Sequence, residues 1–179
     1  MSRYVIGLFC LAVSVFTLFQ VSQAFAQVQY APRVEYPTGD GPSSVFASNL
    51  DGDSDLDLAV TCGYDNIVSI YINNGDGTYM PKVDYSVGNR PQSVFTADLD
   101  RDGDIDLAVV NRISNDLSVL KNNGDGTFAP KLTYSTGFNP LYVTGDLLDS
   151  DSLIDLAVAN FIDGTELYFE GAFSFRFVF

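Results

Sequence analysis

The sequence has no histidine at all. That excludes His-based catalytic triads and the usual zinc sites. It has two cysteines, Cys10 and Cys62, and Cys10 lies in an N-terminal apolar run. If that run is removed, Cys62 stands alone, no internal disulfide can form, and stability must come from packing, with or without metal. A small buried residue is the plain reading of Cys62. Basic residues are scarce: nine Lys and Arg against 23 Asp and Glu give a formal charge of −14. Such acidity argues against nucleic acid or anionic membranes as partners and favours cations. No Gly-rich loop ending in Lys-Ser or Lys-Thr is present to cradle a phosphate. Beyond the N-terminal segment there is no long apolar run and no helical periodicity.

What is present is repetition. A shift of 49 residues superposes Pro42, Pro91 and Pro140, then Val45, Val94 and Val143, then Asp57, Asp106 and Asp155. Pro32, Pro81 and Pro130 keep the same register, as do Tyr36, Tyr85 and Tyr134. The units run over 32–80, 81–129 and 130–178, with no linker between them, so residues 27–179 read as one continuous array. Acid is concentrated in it. Of the 23 acidic residues, 13 fall in the loops at 49–57, 98–106 and 146–155, and clustered carboxylates repel unless something neutralises them.

Residues 1–26 have the pattern of an export signal. Arg3 gives a positive start, Val5 to Leu18 form the apolar run, and Ala24-Phe25-Ala26 is a small-x-small cleavage site. The run falls short of the roughly 20 residues needed to span a bilayer. The expected mature chain begins at Gln27 and is secreted, to periplasm, cell surface or medium.

Within a unit the apolar runs are short, rich in β-branched and aromatic residues, and separated by Gly, Pro, Asn and Asp, which predicts strands and turns. In the second unit the expected strands are Lys82 to Tyr85, Ser93 to Ala97, Leu107 to Val110 and Leu117 to Lys121. The run Leu107-Ala-Val-Val does not alternate, which suits a strand buried on both faces. Asn122-Asn-Gly-Asp-Gly-Thr-Phe128 and its twin from Asn73 to Tyr79 read as tight turns, because Asn-Gly and Asp-Gly tolerate positive φ. Four strands in each repeat of 40 to 50 residues are the signature of a β-propeller. The fold class expected is therefore all-β: a propeller-like array of about three four-stranded blades, incomplete or open, since a ring takes about four to eight.

The acidic loops carry the chemistry. In the second loop Asp98, Asp100, Asp102 and Asp106 occupy positions 1, 3, 5 and 9, Asp104 offers its backbone carbonyl at position 7, and Gly103 makes the turn at position 6. Hard oxygen ligands at that spacing suit calcium. The first loop has Asn49, Asp51, Asp53 and Asp57 as side-chain ligands and Asp55 as the backbone contributor. Asn49 lowers its charge, and Ser54 brings a Cβ to position 6, so weaker binding is expected there. The third keeps Asp149, Asp151 and Asp155 but has Leu147 at position 1 and Ser152 at position 6, with Asp146 as a shifted substitute. It is expected to be the weakest of the three or empty.

The Val-Phe strand, Asp-x-Asp-x-Asp-Gly-x-x-Asp followed by Leu-Ala-Val, and Asn-Asn-Gly-Asp-Gly-Thr-Phe together resemble the FG-GAP or VCBS repeats, similar to those of the integrin α propeller. The resemblance covers most of residues 32–168. It implies an exported, calcium-binding, non-catalytic module for protein or glycan binding and adhesion, with calcium stapling the hairpin between the two innermost strands of each blade. The alternative it raises is a piece of a carbohydrate-active enzyme of the polysaccharide lyase kind, with its catalytic residues elsewhere. Lys82, Lys131, Tyr85 and Tyr134 recur in register, which points to scaffold rather than to a unique active site. At the end of the chain the turn is missing. Phe173, Phe175, Phe177 and Phe179 alternate there instead, and an exposed aromatic face implies self-association through that end.

Overall fold

The computed structural model describes residues 33–148, 153–162 and 166–168. The chain divides into two compact units, residues 1–36 and 37–179. Of the first, only 33–36 are described. They form no regular element, and Arg33 pairs with Glu35. The expected signal and cleavage site, Asp149, Asp151 and the C-terminal phenylalanines lie outside the described residues.

The second unit is built of strands alone among its described residues. They are β1 (Pro42–Ser48), β2 (Asp57–Cys62), β3 (Ile67–Tyr71), β4 (Val83–Ser86), β5 (Pro91–Ala97), β6 (Asp106–Asn111), β7 (Asp116–Leu120), β8 (Leu132–Ser135), β9 (Pro140–Asp146), β10 (Asp155–Ile162) and β11 (Glu166–Tyr168). Three antiparallel sheets result, ordered β1-β2-β3-β4, β5-β6-β7-β8 and β9-β10-β11. The sequence period reappears as register: Val45 pairs with Val60, Val94 with Val109 and Val143 with Val158. This is an open propeller-like repeat array.

The sheets are phased differently from the sequence units. β4, the first strand of the second unit, closes the first sheet, and β8 closes the second. The physical reason is the turn. Asn73 bridges Tyr79, Asn74 N–H donates to the Thr78 carbonyl at 2.8 Å, and Gly75 and Gly77 sit at φ 81° and 82°. A hairpin this tight makes the strand after it the antiparallel neighbour of the strand before it.

Two apolar layers separate the sheets. The first sheet sends Ala59, Val68 and Ile70 toward Val94, Leu107, Val109 and Leu120 of the second. The second sends Ala108, Val110, Leu117 and Val119 toward Val143, Leu156 and Val158 of the third. Alternate residues of β6 thus enter opposite layers, which is why its sequence is apolar without a break. Tyr85 packs edge-on to Phe128 at 5.3 Å and its hydroxyl accepts the Phe128 N–H, a scaffold role for a recurring tyrosine. Cys62 is buried and unbridged. Val45 is 60% exposed where Val94 and Val143 are 3% and 1%, since each of those lies under the sheet before it.

Candidate metal centre

The acidic loops link the first two strands of each sheet and lie at one end of the array with the Asn-Gly-Asp-Gly turns. Each is held from inside. Asp106, fully buried, takes the Leu99 N–H on Oδ2 at 3.1 Å and the Asn122 N–H on Oδ1 at 2.9 Å. Asp57 does the same with Leu50 at 2.7 Å and Asn73 at 2.8 Å, and Asp155 accepts Leu148 N–H at 3.0 Å. The last carboxylate of the motif therefore ties its loop to the neighbouring turn, and a second tie is made by Asn122, whose Nδ2 donates to the Leu50 and Ile105 carbonyls.

Successive carboxylates fold the remainder. Asp98 accepts the N–H groups of Arg101 at 2.6 Å and Gly103 at 3.1 Å, Asp100 that of Asp102 at 3.3 Å, and Asp102 that of Asp104 at 2.9 Å. In the first loop Asn49 accepts from Gly52, Asp51 from Asp53 and Asp53 from Asp55, at 2.8, 3.2 and 2.8 Å. Asp146 accepts the Leu147 N–H at the head of the third loop.

Asp98, Asp100 and Asp106 come together, with one oxygen of each within 4.8 Å of the others. Asp102 is not one of this trio. Asp104 and Asp55 turn their carboxylates toward Gly124 and Gly75, where a Cβ would stand 2.8 and 3.0 Å from an Asp oxygen, so these side chains lean on the turn and leave only backbone to the loop. Burial is the largest influence on Asp106 and, reinforced by the charges of Asp100 and Asp102, it pushes the carboxyl up to about 6 against the pull of its two N–H donors. Burial likewise raises Asp51, with Asp57 and Asp53 adding to the effect.

Two features were missed in the sequence. In the first two loops position 4 is also left-handed: Gly52 has φ 83° and Arg101 has φ 68°, alongside Ser54 at 84° and Gly103 at 96°. Each of these two loops thus spends its one glycine on one of two demanding positions, and the steric handicap assigned to Ser54 is matched by Arg101 in the second loop. The other is Lys121, whose Nζ lies 2.8 Å from Asp100 Oδ2. Its hydrogen bond lowers Asp100 and raises Lys121 itself. Comparing registers would have found it, because the same position in the first repeat is Ile72.

The donor set is all hard oxygen, each carboxylate oxygen keeps a lone pair after accepting one N–H, and a cationic group already stands against it. These residues fit calcium. The pattern also has a name. The FG-GAP-like repeat matches residues 49–109 and 98–147, together more than half of the chain. The chain belongs to the FG-GAP-like repeat family. Both matches begin at position 1 of an acidic loop, Asn49 and Asp98, so this FG-GAP repeat is counted from the acidic loop rather than from the turn. No curated protein matches the chain.

Proposed function

We propose that this FG-GAP protein is an exported, calcium-stapled, non-catalytic module that binds a protein or glycan partner. The observation that carries the calcium reading is the convergence of Asp98, Asp100 and Asp106 at the end of a buried hairpin. Asp98, Asp100 and Asp106 would hold the ion in the second loop, and Asn49, Asp51, Asp53 and Asp57 in the first. Calcium supplies the positive charge that lets packed carboxylates stay ionised. The chain's own part is to hold those oxygens in place through the N–H bonds above. Membership of a repeat family that builds binding and adhesion modules supports the non-catalytic reading, and the residues that recur in register, such as Tyr85, serve the scaffold. Among the described residues no helix is long and apolar enough to cross a membrane.

The test is a thermal melt of the mature chain in calcium and in chelator. Calcium at a hundredfold over Kd stabilises a single-site protein by about 2.7 kcal/mol, which is roughly 5–11 °C for a unit of this size. Identical melts up to millimolar calcium refute the proposal.

A further inference from the structure

The loop richest in carboxylates is also the one with a cation of its own. Lys121 follows β7 directly, and its neighbour Asn122 is fixed by its N–H bond to Asp106 and its side-chain bonds to the Leu50 and Ile105 carbonyls. The ammonium is therefore delivered from a rigid anchor. It reaches Asp100, whose side chain is only 11% exposed, at 2.8 Å, and Asp100 belongs to the converging trio. In the first repeat Ile72 takes this position and packs against the apolar layer instead. The first loop receives no ammonium from that position.

We infer that Lys121 is a built-in counter-cation of the second loop that competes with calcium for Asp100. The inference rests on the calcium reading above. Without calcium, Lys121 neutralises part of the trio and keeps the loop closed. With calcium, two like charges contend for one carboxylate, and the ammonium must leave Asp100 before that carboxylate ligates fully. The second loop is then the less calcium-dependent of the two, although its charge count alone ranks it as the tighter site. Calcium dependence of the fold shifts toward the first loop, where Asn49, Asp51, Asp53 and Asp57 face no such competitor from the register position of Lys121.

The experiment is calorimetric calcium titration of the full mature chain and of Lys121→Met, with Lys121→Arg as the charge-keeping control. Releasing one partly exposed ion pair predicts tighter binding in Lys121→Met by up to about fivefold, no gain in Lys121→Arg, and a lower melting temperature for Lys121→Met in chelator. The gain must vanish when Asp100→Asn removes the contested carboxylate. If wild type binds calcium and Lys121→Met binds no tighter, or the gain survives Asp100→Asn, Lys121 is no competitor and the calcium reading stands. If neither protein binds calcium, both fall. Lys121→Ile, the residue type of position 72, replaces Met if that variant does not fold. In wild type itself, the Lys121 15Nζ resonance must shift on calcium saturation, and a static resonance overturns the inference.

Discussion

Without calcium this protein gains stability on mild acidification, the reverse of the usual effect of paired carboxylates. Asp106 is raised from its ordinary 3.8 to about 6 in the fold, chiefly by burial. A folded carboxyl with a raised pKa binds protons more tightly than the unfolded chain, so its contribution is complete below the unfolded pKa and is lost as pH rises through the folded one. Between pH 7 and pH 5 this one group adds on the order of 1 kcal/mol of stability, or roughly 2–4 °C in Tm. Asp51, raised by the same cause, acts in the same direction. The carboxylates with lowered values, Asp76, Asp84, Asp100 and Asp125, oppose it only below about pH 4, because their contribution is lost as pH falls through the depressed folded pKa. Lys121, raised from 10.5, is outside the interval at the alkaline end. The assay is differential scanning calorimetry in chelator from pH 7 to 5, with Asp106→Asn to remove the titrating group. On the calcium proposal the metal should compress the effect, because proton and metal would contend for the same oxygens and calcium would stabilise less at pH 5 than at pH 7. A chelated wild type that loses stability between pH 7 and 5, or an Asp106→Asn variant with an undiminished slope, refutes the assignment of buried charge to Asp106.

Two further tests address the loops and the sheet junctions. Ser54→Gly and Arg101→Gly should each stabilise the fold by about 0.5–1 kcal/mol in urea unfolding, since a left-handed residue with a Cβ costs 1–2 kcal/mol and glycine returns part of that in entropy; a gain for Ser54 alone would mean that Arg101 is held by other contacts. Asn66 and Asn115, both left-handed, accept the N–H of Arg90 and Asn139 at 2.8 Å and so tie each β2–β3 type hairpin to the connection leading to the next sheet; Asn115→Ala should cost about 1–3 kcal/mol in the same assay, and an unchanged urea midpoint would show that these ties carry no load.

The strands, their fourfold grouping and the two-sided burial of β6 were legible because a shift of 49 residues aligns apolar runs whose period is that of strands. The phase of the sheets was not, because a period has no origin. It is set by the Asn-Gly-Asp-Gly turn, which forces β4 back onto β3 and so gives the first sheet a strand from the next unit. In the candidate site, spacing placed Asp98, Asp100 and Asp106 in one loop, and their carboxylates converge there. It could not show that position 4 also demands positive φ, since one copy answers that demand with Gly52 and the other with Arg101. Nor does spacing within a loop reveal Lys121, which is brought to Asp100 by the β6–β7 hairpin from outside the motif.

These missed features share a physical sense. Asp98, Asp100, Asp102 and Asp106 all accept backbone N–H bonds within the loop or from the turn beside it, and Asn49, Asp51, Asp53 and Asp57 repeat the arrangement. The loop is therefore shaped by its own hydrogen bonds, and the left-handed residues at positions 4 and 6 let the backbone turn its N–H groups inward. Every acceptor that shapes such a loop is anionic or an amide oxygen, so the acceptors themselves bring no positive charge. In the second loop Lys121 brings an ammonium to Asp100, whereas the same position in the first repeat is the apolar Ile72. The two repeats answer one electrostatic problem in different ways, and the difference lies in a residue outside the motif itself.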